Sequence, residues 1–126
     1  MHSLALVLGL LVSSQASARI PPDSVCTNDT IYFAAPCFTV HGRMFLANGT
    51  PGLRIWRVGT QRILGVADSE GDIGGGCALP DTLAKLVRVG TWIYADFVVR
   101  PTTLERPGWM QMVCVASAKR IVVIRL

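Results

Sequence analysis

The chain has 126 residues, 51% of them apolar, with 12 Lys or Arg against 8 Asp or Glu and a formal net charge of +4. That length holds one domain rather than several, and the apolar share excludes a disordered chain. The basic residues are scattered instead of gathered in one run, which argues against nucleic acid as a partner and leaves solubility and a weak pull towards anionic surfaces as the roles of the charge.

Residues 1–18 read as a secretory leader. Leu4–Val12 is an unbroken apolar run, and Ala16-Ser17-Ala18 supplies small residues before a cut. The run is too short to cross a bilayer, which takes about 20 residues. No later run is long and apolar enough, so no membrane span is expected. The expectation is an exported chain, periplasmic or extracellular, with residues 19–126 as one domain. All of the Lys, Arg, Asp and Glu lie in that part, as do Cys26, Cys37, Cys77 and Cys114. An even cysteine count in a small exported domain argues for two disulfides. Three pairings are open, and Cys37–Cys114 with Cys26–Cys77 is favoured because it would tie the first strand to a late one. A zinc site is not expected, since there is no C-x-x-C pair and His41 is the one histidine after the leader.

Arg19–Pro36 is an irregular lead-in, with Pro21-Pro22 barred from a sheet interior. Ile31-Tyr32-Phe33 suggests a short edge strand. Phe38–Val66 then reads as strand, turn, strand, turn, strand. Phe38, Val40, Met44 and Leu46 alternate with Thr39, His41, Arg43 and Phe45, the period of a half-buried strand. Asn48–Gly52 supplies turn residues, and Leu53–Val58 and Arg62–Val66 follow around Gly59-Thr60-Gln61. Asn28-Asp29-Thr30 and Asn48-Gly49-Thr50 also match the glycosylation acceptor pattern, and the second is explained by its turn.

Asp68, Glu70 and Asp72 alternate before Gly74-Gly75-Gly76. Their spacing lacks the Gly and Glu of a calcium loop, so a solvated turn is the stronger reading. Pro80–Val89 is the one helix candidate, with Leu79, Leu83 and Leu86 on one face and Gly90 as its stop. Trp92–Val99 alternates again. Trp109–Ala116 and Arg120–Ile124 read as a final pair of strands joined around Ser117-Ala118-Lys119. The runs Val113–Val115 and Ile121–Ile124 are continuously apolar, which predicts strands covered on both faces. Six or seven short strands with one short helix give an all-β fold, expected as a Greek-key sandwich.

The series Val40–Arg43, Asn48–Pro51, Leu53–Val58 and Leu64–Gly71 resembles the opening of transthyretin-like and carboxypeptidase-regulatory-like domains. The resemblance implies a prealbumin-type sandwich with a late short helix. A C-F-T-V-H-G-R opening at Cys37–Arg43, R-I-W-x-V-G-T at Arg54–Thr60, A-D-F at Ala95–Phe97 and V-C-V at Val113–Val115 are similar to small exported bacterial proteins with no assigned activity. That likeness spans most of residues 19–126 and implies no mechanism.

For chemistry, His41 with Asp96 is the only base-and-orienter candidate, and no nucleophile elbow accompanies it. Catalysis, cofactors and metals are therefore not expected. Trp56, Trp92 and Trp109 suggest a stacking platform, against the alternative that each packs across strands or at the core rim. His41, Arg43, Arg54, Trp56, Tyr94 and Asp96 fall on the faces opposite the aliphatic ones, and aromatic residues with Arg are the composition of a binding surface. The expectation is a binding or accessory module for a protein or a cell-envelope component. A self-associating structural protein and a small hydrolase using His41 are the alternatives.

Overall fold

The computed structural model describes Gly9, residues 19–29, 31–67 and 76–126. The leader, except Gly9, and the acidic stretch Asp68–Asp72 lie outside the described residues. Among the described residues five strands form: β1 Phe38–Leu46, β2 Leu53–Arg57, β3 Ile63–Val66, β4 Thr91–Pro101 and β5 Met112–Arg125. One short helix, α1 Asp81–Ala84, lies between β3 and β4. The strands close in the order β1-β2-β3-β5-β4, with β4 returning to β1. Every pairing is antiparallel except β3 with β5, which pair at Gly65↔Met112 and Val66↔Val113.

The all-β class stands. The strands number five rather than about seven, and they form one closed sheet instead of two facing ones. Two local readings account for the difference. Ile31–Phe33 is a turn and bend, not a strand. The two last strands are one, β5, running unbroken through Ser117–Lys119. The apparent turn there is absorbed inside the strand as a bulge. The pairing slips between Tyr94↔Val122 and Asp96↔Lys119, and Arg120 takes the left-handed backbone at φ 54°. The helix also ends early, at Ala84. Leu83 is nonetheless fully buried in the main core, with Leu79, Leu86 and Val87 packed against that core, so the apolar face read from sequence is used by a looser turn.

Alternation builds the barrel. Val40 and Met44 on β1, Leu53 and Ile55 on β2, and Ile93, Ala95, Phe97 and Val99 on β4 point inward and are buried. Gly42 completes the inward row of β1. A Cβ there would stand 2.5 Å from Cγ2 of Ile55 and 3.1 Å from the Trp56 carbonyl oxygen. The missing side chain thus lets β2 close on β1.

A second apolar cluster lies outside the barrel. Val25, Phe33, Ala67, Cys77 and Cys114 form it, with Cys37 at its rim. Both disulfides sit here, and their pairing is Cys26–Cys37 and Cys77–Cys114, not the pairing favoured from sequence. The cause is backbone routing. The Ala67 amide donates to the Val113 carbonyl (2.8 Å) and the Cys77 amide to the Ala67 carbonyl (2.8 Å), which sets Cys77 alongside Cys114. The lead-in folds back on itself and carries Cys26 to Cys37. Each bridge stabilises by roughly 2–4 kcal/mol.

Arg100, on the outward face of β4, pins the lead-in. Its Nε donates to the Ala35 carbonyl (3.1 Å), and its Nη1 donates to Val25 (2.9 Å) and Asn28 (2.6 Å). Its guanidinium also lies 4.4 Å from the Phe33 ring centre. One end of the outer face of β4 is therefore covered, and the Trp92–Asp96 end is left open. Gly42→Ala should destabilise the fold by about 1–3 kcal/mol, because Ile55 or the β2 backbone must move to admit the methyl; an unchanged urea midpoint would show that the wall tolerates it.

Candidate functional site

β1 is the middle strand of the open face, paired with β2 on one side and β4 on the other. The registers His41↔Asp96, Arg43↔Trp56, Arg43↔Tyr94 and Phe45↔Arg54 bring all six residues singled out from sequence onto one contiguous surface. Trp92, Phe45 and Arg120 join them. Trp92 and Phe45 were legible as outward residues of their strands. Arg120 was not, since its position depends on the β5 bulge.

Arg43 is the centre. Its guanidinium carbon lies 4.1 Å from the Trp92 ring, 4.7 Å from Trp56 and 5.5 Å from Phe45. The Trp56 ring is fixed by its Nε1–H donating to the Thr60 carbonyl at 2.7 Å. Nε of Arg43 is sealed from solvent and has no hydrogen-bond partner. Among the described residues, no acceptor is bonded to the rest of the guanidinium either. Ring contacts of this kind contribute about 0.5–1 kcal/mol each near a surface, whereas an unpaired buried donor costs about 1–3 kcal/mol. The two nearly cancel, so stability does not explain the arrangement. What the rings do supply is a fixed orientation and a locally low dielectric around a fork of free donors.

Arg54 is different. Its Nε donates to the Pro51 carbonyl at 3.0 Å and its Nη2 to Asn48 at 3.4 Å, so it clamps the β1–β2 turn. Trp109 does not belong to the face. It lies 70% exposed on the β4–β5 loop, beneath Arg106 at 5.1 Å, in a shallow cleft with Arg62 and Glu105.

Beside the Arg43 stack, Asp96 is held by two side chains. His41 Nδ1 lies 2.8 Å from its Oδ1, and Arg120 pairs with Oδ2. Those two hydrogen bonds, His41's first, hold the carboxyl below its ordinary value of 3.8. No hydroxyl or thiol among the described residues is hydrogen-bonded to the imidazole. Arg120 keeps a left-handed backbone that costs a non-glycine residue about 1–2 kcal/mol, and its pair with Asp96, exposed on the arginine side, offsets little of that.

No family model, curated protein or solved structure matches this chain. No helix among the described residues is long and apolar enough to cross a membrane, and the described residues contain no cluster of three or more His, Cys, Asp or Glu suited to a metal ion.

Two outcomes follow from the Asp96 pairings. Arg120→Gly removes the strain and the ion pair together, while Arg120→Ala keeps the strain and loses the pair, so the Gly variant should unfold at a higher urea midpoint than the Ala variant; equal midpoints would show that the left-handed backbone carries no cost. For Asp96, the unfolded chain binds a proton at a higher pH than the folded one, so stability falls as the pH drops from 3.8 through the lowered folded value. The stability gap between the parent and Asp96→Asn should therefore hold near neutral pH and shrink through that acid window, read from urea unfolding at each pH.

Proposed function

We infer that this chain is an exported binding module that recognises an acidic partner, on a protein or a cell-envelope component, through the outer face of β2, β1 and β4. The observation that carries the reading is Arg43, a guanidinium walled by Trp56, Trp92 and Phe45 whose donors no described residue takes up. Carboxylate or phosphate oxygens are the natural complement of that fork, and two parallel bonds to one anion add specificity as well as energy. The surrounding charge agrees: among the described residues, Arg54, Arg120 and Lys119 lie on or beside the face, against the carboxylate of Asp96.

The strand order supports a module that binds along a surface. A closed five-stranded barrel with one parallel pair and a helix between the third and fourth strands has the layout of the OB type, whose sheet faces take extended polymers. That likeness is one of fold and does not by itself assign a ligand. Export is supported by the two disulfides, which persist in oxidising compartments.

The His41–Asp96 bond is the one observation that favours a hydrolytic reading. His41→Ala separates the two, because it should leave binding nearly intact and would abolish turnover if His41 were a base. The direct test titrates the chain's tryptophan fluorescence with polyglutamate and with polygalacturonate at low salt. One of the two should bind, and Arg43→Gln should weaken it about tenfold, the effect of roughly 1.4 kcal/mol. Arg106→Gln, on the β4–β5 loop, should leave it unchanged. Equal affinity for Arg43→Gln and the parent would overturn the assignment of the face.

A further inference from the structure

We propose that the outer edge of β5, residues 119–125, is an acceptor for an extended acidic segment of a partner protein, which adds to the sheet as a sixth strand. The edge is available. β5 pairs with β3 only at Met112 and Val113, whereas residues 119–125 pair with β4 alone, from Thr91↔Arg125 to Asp96↔Lys119. No other described residue hydrogen-bonds to the backbone of this stretch. It therefore presents a row of unpaired N–H and C=O groups roughly 20 Å long.

Its side chains are the second observation. The apolar run Ile121–Ile124 was expected to be covered on both faces, and it is not. Ile121 packs against the main core, but Val122 is 57% exposed and Ile124 41%, and Leu126 beyond them is 73% exposed. Val122 and Ile124 stand outward, beside Tyr94 and Trp92 in the register. An exposed apolar edge strand is a pairing site unless something blunts it.

The charge selects the occupant. Lys119, Arg120 and Arg125 bracket the apolar residues, and β5 has no acidic residue. A second copy of the chain is disfavoured by that pattern. Antiparallel self-pairing about Val122 sets Lys119 opposite Arg125, and the register that centres between Val122 and Val123 sets Arg120 opposite Arg125, so cations face each other in both of those registers. An acidic strand reverses the sign of every one of those contacts. Its backbone supplies affinity, its apolar residues lie beside Val122 and Ile124, and its carboxylates meet Lys119 and Arg125, since Arg120 is already paired with Asp96.

The test uses the full chain and two synthetic peptides, one alternating Glu with Val and the other alternating Lys with Val, followed by amide hydrogen exchange and NMR shift mapping. The Glu-Val peptide should slow exchange of the 119–125 amides by at least about tenfold, and the Lys-Val peptide should not. Backbone N-methylation of the Glu-Val peptide should abolish the effect, because it removes the donors that pair with the edge. A Lys119→Glu, Arg125→Glu variant, which leaves the Arg120–Asp96 pair in place, should exchange the two preferences. Three results would overturn the proposal: no change at 119–125, equal protection by both peptides, or protection of the same amides that grows with protein concentration in the absence of peptide, which would assign the edge to a second copy.

Discussion

Everything on the open face depends on β1 being hydrogen-bonded along both sides. A strand with two neighbours has its outward row fixed in the middle of a surface, and the inward row must then fit a narrow wall. Gly42 is where β1 meets that fit, with Ile55 filling the space a side chain would occupy. Because β2 can approach there, Trp56 and Tyr94 come to opposite sides of Arg43. The site is thus a consequence of how the barrel closes, and a change in the core beneath β1 would be felt on its outside.

The degree to which this was legible varies with the range of the interaction. Period-two alternation located β1, β2, β3 and β4 closely, because burial of one face is a local pattern. The same alternation assigned His41, Arg43, Trp56 and Asp96 to outward positions. It could not pair them, since register between strands far apart in sequence is set by turns and closure together. The disulfides were ambiguous for a similar reason: four cysteines admit three pairings, and the choice lay in how the lead-in folds back and how Ala67 and Cys77 stack beside β5. Ser117–Lys119 misled because a turn and a bulge share polar, small residues. The left-handed backbone that distinguished them falls on Arg120, a residue type that rarely adopts it.

That bulge has a further consequence. By shifting the register of β5 across Ala95, it turns Arg120 towards Asp96 and frees the remainder of the strand to extend along the first half of β4. The cationic bracket of the edge and the second partner of the Asp96 carboxylate are products of one backbone irregularity. Strain of this size persists when surrounding structure over-determines it, and here ten paired positions along β4 do so.

The strongest argument about Arg43 comes from a second arginine in the same molecule. Arg100 also lies outward on the sheet, with its guanidinium 4.4 Å from an aromatic ring. Its donors meet the carbonyls of Val25, Asn28 and Ala35, all from the lead-in that covers that end of β4. Arg43 has the aromatic half of this device, in fuller form, and lacks the acceptor half. Where the chain itself provides oxygens, the result is a structural clamp. Where it provides only the walls, the donors stay open, and the difference between the two arginines is what separates the covered end of the face from the open end proposed as the binding surface.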